Sequence, residues 1–437
     1  MSNLLLTDRW FILPDTALHH DVQTRFMNVF NKREVLNYNI VAGRRSYKTE
    51  RMLKRLFVYL SITEKKKIYY LGAPTRMQAK DLFWTDIKDL IHPIFIKNIS
   101  ESELKIWLKS DTILQIIGLH EFRRKQGGFA DGVGVTEYQE CNPSVYSHTF
   151  QPMLNDRNGF WIEEGRPHGK NHLYDNYLKG QRKENKWDSF HWTSETVLSE
   201  EQIIRAKGEL SLIDYRREYL ADFETGASKP YYAYSEKNHY AKQYDPRNKN
   251  LIVACDFNAT IKPMSWILGF EEVIGIEEMV YWFKDFSIQF TNTKAMCEVI
   301  ERWLLEKYQF LPKEMHFYGD YAGTKSTSNS SLSDWQIIED YFRNKTITRT
   351  FLKPCLSIRD SVSSTNARLE NALRQHRMFI DPINCEHLKL DWIKADWKEN
   401  GVQLDESDPL RNHCNRAVDY YSDYKYPYYN IKQSKVI

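Results

Sequence analysis

The chain has 437 residues, and at ~150 residues per domain this length predicts two or three domains. Hydrophobic residues make up 42% of the chain and charged residues 27%, while 61 basic and 58 acidic residues leave a net charge of only +3. This composition excludes collagen-like, disordered and disulfide-rich secreted proteins, and because no apolar run approaches the ~18 residues of a membrane span, we expect no membrane contact.

The first half of the chain predicts an α/β layer with a mostly parallel sheet, because strand-like and helix-like patterns alternate. We predict strands at residues 38–42, 67–71 and 132–135, and a hairpin at residues 103–118. Capping-box spacing from Ser199 to Gln202 opens a helical stretch that runs towards Phe223. Residues 224–250 lose this periodicity and collect Gly, Pro, Lys and Asn, which predicts a linker.

The second half of the chain begins a new set of strand and helix patterns. We predict strands at residues 251–255, 265–270, 279–283 and 315–318. Before the last of these strands, a predicted helix carries apolar residues on one face, namely Met296, Val299, Ile300, Trp303 and Leu304. Strand, hairpin, helix and strand in this order predict a ribonuclease-H-like core.

A candidate phosphate loop lies between the first strand and the following helix, where residues 42–49 read AGRRSYKT. Such a loop surrounds phosphates with backbone N–H groups, and Lys48 and Thr49 would supply an ammonium for the β/γ oxygens and a hydroxyl for Mg²⁺. Ala42 and Tyr47 stand where the usual pattern has glycines. A basic first turn of a helix explains the pattern equally well, so the loop alone leaves both interpretations open.

Two further motifs follow the candidate loop. Residues 131–137, DGVGVTE, form a strand pattern that ends in Glu137, the type of acid that orients attacking water in ATPases. Thr136 occupies the position where such ATPases usually have a Mg²⁺-binding aspartate. Residues 165–172, GRPHGKNH, follow another strand pattern. Taken singly, an acid at a strand end and a Gly/Pro-rich loop also occur in proteins without this chemistry.

The three motifs in this order resemble those of the large terminase subunit, the DNA-packaging ATPase and nuclease of tailed double-stranded DNA bacteriophages. The resemblance covers roughly residues 20–425. It implies a P-loop ATPase domain of the RecA/ASCE type at residues 1–223, with a lid at about residues 175–223. It also implies a linker at residues 224–250 and a ribonuclease-H-like endonuclease domain at residues 251–437.

The resemblance also implies roles for individual residues of the first domain. The ATP site would be formed by Gly43, Arg44, Arg45, Ser46, Tyr47, Lys48 and Thr49, with Gln23 at the adenine-binding position. Glu137 would be the catalytic acid, and Arg44 would stabilise charge on the transferred phosphoryl group as an arginine finger does. The family's coupling motif is matched at Gly165, Pro167, Gly169, Asn171, His172 and Tyr174.

Three acids in the second half are candidates for a nuclease site. Asp256 and Asp320 follow predicted strands, and Asp419 lies in a predicted terminal helix, with Asp423 as its alternative. Two-metal cleavage of a phosphodiester uses carboxylates that bridge hard cations such as Mg²⁺ or Mn²⁺. Any one of these acids could instead cap a loop. By the resemblance, the first three form the nuclease metal site, while Thr49 binds the Mg²⁺ of ATP.

By this resemblance, the chain would hydrolyse ATP to drive double-stranded DNA into a procapsid and would cut concatemeric DNA. The implied partners are double-stranded DNA, the small terminase subunit, a capsid portal protein and further copies of the chain in a pentameric ring. The implied location is the host cell cytoplasm, with transient docking on the procapsid portal. Two alternatives stay open, namely a helicase- or recombination-type nuclease and a DNA-binding scaffold with an inactive phosphate loop.

Overall fold

The computed structural model describes residues 21–122, 128–223, 229–240, 242–324, 332–352, 354, 357–398 and 403–428. The chain divides into two compact units. The N-terminal unit comprises Met1–Ile203 and Arg216–Thr225, and the C-terminal unit comprises Ile204–Tyr215 and Gly226–Ile437. The predicted boundaries at residues 223 and 251 stay predictions. Within the described ranges, none of the helices has the length and apolar character needed to cross a bilayer.

An eight-stranded sheet forms the core of the N-terminal unit. Its strands are β1 (Asn37–Ala42), β2 (Ile68–Ala73), β3 (Ile96–Ser100), β4 (Lys105–Leu108), β5 (Ile113–Gly118), β6 (Gly132–Val135), β7 (Phe160–Gly165) and β8 (Trp187–Trp192). The strand order is β3-β4-β5-β2-β6-β7-β1-β8. Antiparallel pairing joins β3, β4 and β5, and the other neighbours run parallel. The predicted hairpin and mostly parallel sheet are therefore confirmed.

Helices cover the strands of this sheet, connect them or follow the last of them. They are α1 (Asp21–Lys32), α2 (Leu56–Thr63), α3 (Arg76–Ala79), α4 (Thr85–Leu90), α5 (Leu119–Phe122), α6 (Gln151–Asn155), α7 (His172–Gln181), α8 (Glu200–Glu209) and α9 (Leu212–Glu218). A π-helical segment, Lys48–Arg55, runs directly into α2. The predicted capping box is present, since the Gln202 amide donates to Ser199 Oγ (3.3 Å). The single helix predicted after it is two helices, because Ser211 Oγ accepts the Asp214 amide (3.2 Å) and starts α9.

A six-stranded sheet forms the core of the C-terminal unit. Its strands are β9 (Leu251–Asp256), β10 (Met264–Ile274), β11 (Glu277–Ile288), β12 (Glu314–Gly319), β13 (Ile347–Leu352) and β14 (Met378–Ile380). Its helices are α10 (Thr293–Tyr308), α11 (Asp334–Phe342), α12 (Ile358–Leu369), α13 (Glu386–Lys394) and α14 (Cys414–Lys425). The order β13-β12-β9-β10-β11-β14, with antiparallel β9–β10–β11 and parallel β9–β12–β13, confirms the predicted ribonuclease-H-like core.

Candidate functional site

The candidate phosphate loop connects the end of β1 to the helical segment that begins at Lys48. The Gly43 amide donates to the Trp192 carbonyl (3.2 Å) at the end of the neighbouring strand β8. A Cβ on Gly43 would lie 2.3 Å from both Ser194 Oγ and the Tyr219 carbonyl oxygen. Since a carbon atom cannot approach an oxygen this closely, only glycine fits at the first position of the loop.

Two other residues of the loop adopt left-handed backbone angles. Arg45 has a φ of 55°, and Tyr47 has a φ of 59° and a ψ of 17°. This conformation costs a residue other than glycine about 1–2 kcal/mol. The Tyr47 ring packs under the Arg51 guanidinium, whose carbon lies 4.4 Å from the ring centroid. The loop therefore keeps the backbone turn of a glycine at position 47, although the side chain is large.

Lys48 and Thr49 converge on one buried carboxylate, that of Glu164 on β7. Lys48 Nζ lies 3.9 Å from Glu164 Oε2 and donates to the Gly43 carbonyl (3.3 Å). Burial lowers the pKa of Lys48, although the charges of Glu164 and Glu137 raise it in part. Thr49 Oγ1 donates to Glu164 Oε1 (2.6 Å). Glu164 was not among the residues predicted from the sequence, although two glutamates in succession within an apolar strand pattern were a usable signal.

The contacts of the Glu164 carboxylate indicate whether this site suits Mg²⁺. Glu164 is fully buried, and its Oε1 also accepts a hydrogen bond from Thr136 Oγ1. Its Oε2 accepts no hydrogen bond from any described residue. A buried polar atom without a hydrogen-bond partner requires an explanation, and hydroxyl and carboxylate oxygens are the ligands that Mg²⁺ prefers. The residues Thr49, Thr136 and Glu164 therefore fit this ion.

Glu137 follows β6 and faces this group of side chains. Its backbone is left-handed, with a φ of 51°. Arg166 Nη2 donates to Glu137 Oε2 (3.2 Å), and Gln139 Nε2 donates to the same oxygen. Burial alone would raise the pKa of Glu137, but the positive charges of Arg166 and Lys48 and the hydrogen bond from Gln139 outweigh it and lower the pKa to about 2. Glu137 is therefore ionised at neutral pH, as a group that accepts a proton from water must be.

Arg44 is held by Glu218, the last residue of α9. Arg44 Nε and Arg166 Nη1 both donate to Glu218 Oε2, and the Arg44 amide donates to the Glu218 carbonyl (2.7 Å). Burial would raise the pKa of Glu218, but the charges of Arg166, Arg44 and Arg217 outweigh it and hold this pKa well below its ordinary value. Glu218, which was also not predicted from the sequence, fixes the guanidinium groups of Arg44 and Arg166 at the candidate phosphate loop.

The predicted coupling motif contacts the loop that follows Glu137. Asn171 Nδ2 donates to the Gln139 carbonyl (3.3 Å), and His172 Nε2 donates to the Tyr138 carbonyl (2.8 Å). A Cβ on Gly165 would lie 2.2 Å from Gln139 Oε1, so a larger residue where β7 ends would displace the Gln139 side chain. Asn171 Oδ1 also caps α7 by accepting the amide of residue 173 (3.1 Å). The motif therefore links the loop that follows Glu137 to a helix.

The other predicted residues of this site lie near these contacts. Ser46 Oγ donates to the Gly43 carbonyl (2.7 Å), and Gln23 Nε2 donates to the Ser46 carbonyl (3.3 Å). Gln23 is thus beside the phosphate loop, and its role with adenine stays a prediction. In the coupling motif, Pro167 is buried and Gly169 has a φ of +66°. The Tyr174 ring packs on the ring of Phe223, with centroids 4.8 Å apart.

In the C-terminal unit, Asp256 and Asp320 lie at neighbouring strand ends. The register pairs Cys255 of β9 with Gly319 of β12, so the two aspartates occupy adjacent positions at one edge of the sheet. Burial is the largest cause that raises the pKa of Tyr420, and the charges of both aspartates raise it further. Two carboxylates placed in this way fit a divalent cation with hard oxygen ligands.

Asp419 does not join this pair, which corrects the expected set of three ligands. Its carboxylate is fully buried and accepts hydrogen bonds from Tyr231 Oη (2.8 Å), Thr365 Oγ1 (2.7 Å) and Arg416 Nη1 (2.9 Å). Successive residues of a helix are rotated by about 100°, so α14 turns Tyr420 towards the two strand ends and Asp419 away from them.

The residue of this region that contacts Asp256 is instead His413, whose Nδ1 lies 3.0 Å from Asp256 Oδ2. Asn258 Nδ2 donates to the same oxygen (2.7 Å). The alternative acid, Asp423, is buried one turn beyond Asp419 on α14. Among the residues that the structure describes, no group of three or more His, Cys, Asp or Glu side chains could hold a metal ion. A proposal for this unit therefore rests on the pair of aspartates at the strand ends alone.

Among the comparisons with known proteins, only the one with solved structures gave matches. No protein-family model matches this chain, and no curated protein matches it. Among solved structures, the large terminase of a thermophilic bacteriophage superposes with a TM-score of 0.58 at 14% identity, covering 92% of this chain and 98% of that one. The same protein in complex with ATP-gamma-S gives a TM-score of 0.55 at 14% identity, with coverages of 90% and 94%. The chain therefore has the fold of a phage large terminase.

Proposed function

We propose that this chain is the motor subunit that packages a viral genome, using ATP to move double-stranded DNA into a procapsid. The observation that carries the proposal is that Lys48, Thr49 and Glu137 lie together around the Glu164 carboxylate, at the carboxyl ends of neighbouring parallel strands. The fold match with the thermophilic phage terminase, which binds ATP-gamma-S, supports the same assignment. These residues are the ones that phosphoryl transfer to water requires.

Hydrolysis at this site would use each of these side chains for a separate task. Lys48, released from its contact with Glu164, binds the phosphate oxygens, and the loop amides that follow Gly43 surround them. Glu137 is ionised and orients the attacking water. Arg44 is a loop residue whose guanidinium is held by Glu218, and it turns towards the charge that develops on the transferred group. Mg²⁺, when bound, neutralises phosphate charge beside Thr49.

The coupling motif offers a route from hydrolysis to movement. Glu137 is bonded to Arg166, and the next residues of its loop accept hydrogen bonds from Asn171 and His172. A displacement of Glu137 when phosphate leaves would therefore pull on the first turn of α7, which Asn171 caps. We propose that this displacement drives the DNA, which would be held mainly through its phosphates.

For the C-terminal unit, we propose cleavage of concatemeric DNA, with Asp256 and Asp320 as the carboxylates that hold Mg²⁺ or Mn²⁺. The ribonuclease-H-like core and the adjacent positions of the two aspartates support this proposal. By the same family resemblance, the proposed partners are the small terminase subunit, a portal protein and four further copies in a pentameric ring in the host cytoplasm.

The proposal is tested by measuring ATP turnover with and without linear duplex DNA. We expect Lys48→Ala to lose turnover by about 100-fold or more, since the lysine is the cation nearest to the phosphates. Lys67→Ala is the matched control, because Lys67 precedes β2 at the opposite end of the sheet and pairs with Asp131. Wild-type turnover no higher than that of Lys48→Ala, with DNA and portal present, would instead favour a scaffold with an inactive loop.

A further inference from the structure

We infer that Glu164 supplies the carboxylate of the nucleotide-bound Mg²⁺ site, replacing the aspartate that position 136 lacks. This inference rests on the proposed ATPase function. It names a positioning residue that neither the motif pattern nor the family resemblance assigns. Thr136 alone could not balance the charge of the ion, because a hydroxyl is neutral.

The sheet register places Glu164 where such a carboxylate is needed. β7 lies between β1, which leads into the phosphate loop, and β6, which leads to Glu137. Glu164 pairs with Ile40 of β1, and Val135 of β6 pairs with the residue just before Glu164. The carboxylate therefore reaches the hydroxyls of both Thr49 and Thr136. Glu164 on β7 therefore lies where it can replace the aspartate that such ATPases have at position 136, after the neighbouring strand β6.

The contacts of the Glu164 carboxylate leave one of its oxygens available. Oε1 accepts both threonine hydroxyls, whereas Oε2 accepts no hydrogen bond from the described residues and lies 3.9 Å from Lys48 Nζ. A buried charge is costly unless it is paired and hydrogen-bonded. When Lys48 turns to the phosphates, a divalent cation beside Thr49 becomes the compensating charge for this oxygen.

The preceding residue provides a matched control on the same strand. Glu163 is equally buried, but it points to the other face of β7, and its carboxylate is fully engaged. It accepts hydrogen bonds from Asn39 Nδ2 (2.6 Å), Trp161 Nε1 (2.8 Å) and Asn176 Nδ2 (3.0 Å). Glu163→Gln therefore removes a buried carboxylate one residue away without touching the threonine hydroxyls.

The test measures binding of a fluorescent, non-hydrolysable ATP analogue as a function of Mg²⁺ concentration. Removing a residue that orients a metal site costs ~10–100-fold in metal affinity, so we expect Glu164→Gln to need at least about 10-fold more Mg²⁺. Binding in EDTA should not weaken. Glu163→Gln should keep the wild-type Mg²⁺ dependence. Mn²⁺ paramagnetic resonance of the same samples reports the ion directly, and Glu164→Gln should bind Mn²⁺ correspondingly more weakly in the nucleotide complex.

A double variant restores the missing acid at its usual place. In Thr136→Asp/Glu164→Gln, the carboxylate returns on β6, and we expect the Mg²⁺ dependence to return towards that of the wild type. This variant keeps one carboxylate at the site, so it also serves as the test if Glu164→Gln alone does not fold. In that case, a double variant that needs much more Mg²⁺ than the wild type to bind the analogue would count against the inference.

Two results would overturn the inference, and they have different consequences for the proposed function. If wild type and Glu164→Gln bind the analogue with the same Mg²⁺ dependence, Glu164 has no role at the ion, and the ATPase proposal is unaffected. If the wild type binds no analogue with or without Mg²⁺, the ATPase proposal fails, and the role of Glu164 fails with it.

Discussion

Replacing Glu218 by Gln should destabilise the N-terminal unit by about 3–5 kcal/mol, the usual cost of removing one partner from a buried ion pair. Only 6% of the Glu218 side chain is exposed, and its two nearest cations are almost as buried, with 15% of Arg44 and 14% of Arg166 exposed. The substitution removes the carboxylate charge that these two guanidinium groups share. Because solvent screens none of these groups well, that removal is costly. For a unit of this size, we expect the melting temperature to fall by about 6–20 °C, at ~2–4 °C per kcal/mol.

The pH dependence of this effect follows from the direction of the pKa shift. The folded-state pKa of Glu218 lies well below the ordinary 4.5, so the carboxylate stabilises the folded state fully above pH 4.5. As the pH falls from 4.5 through the folded-state pKa, the carboxylate is protonated and this stabilisation is lost. The difference between wild type and Glu218→Gln should therefore be constant from about pH 7 to about pH 5 and shrink only in stronger acid.

The assay is thermal and urea unfolding of both proteins, with Glu184→Gln as the matched control. Glu184 pairs with Arg182 at 3.0 Å, but 41% and 61% of the two side chains are exposed, so this change should cost no more than ~0.5 kcal/mol. If Glu218→Gln melts within about 2 °C of Glu184→Gln, the view that Glu218 holds the two arginines in place is refuted.

Three further predictions test other parts of the sites. Gly43→Ala should abolish nucleotide binding measured by calorimetry, because its Cβ would lie 2.3 Å from two oxygens, whereas unchanged affinity would contradict this role. Arg166→Ala removes the charge that most lowers the pKa of Glu137, so the acid limb of the pH–turnover profile should move to higher pH, and an unmoved limb would argue against this ion pair. Asp256→Asn should fold normally and lose DNA cleavage, while Asp419→Asn should lose about 3 kcal/mol of stability by urea unfolding. The reverse pattern would restore Asp419 as the metal ligand.

Local sequence patterns predicted the fold correctly, and the candidate phosphate loop lies between a strand and a helical segment as expected. Apolar strand patterns, turn residues and capping spacing act over a few residues, so the alternation of strands and helices was visible without a structure. Tyr47 at a usual glycine position left the loop uncertain. The structure accommodates it in a left-handed turn, with its ring exposed and packed on Arg51.

The acids that organise the site could not be predicted from spacing. Glu164 contacts Thr49 across 115 positions of the chain, and Glu218 contacts Arg44 across 174. The order and register of the strands bring the first pair together, and the contact of the end of α9 with the loop brings the second pair together. Asp419 was assigned from its position on a terminal helix, but the face that a helical residue presents depends on packing, and this packing turns Asp419 towards Tyr231.

The central claim is that Glu137 activates water at a nucleotide held by Lys48. The most direct measurement determines nucleotide affinity and ATP turnover on the same preparations of wild type, Glu137→Gln and Lys48→Ala, with duplex DNA present. We predict that Glu137→Gln binds ATP as tightly as the wild type, or more tightly, and loses turnover by at least about 100-fold, because a neutral amide cannot accept the proton of water. Lys48→Ala should lose both binding and turnover. Turnover by Glu137→Gln at the wild-type rate would contradict the account.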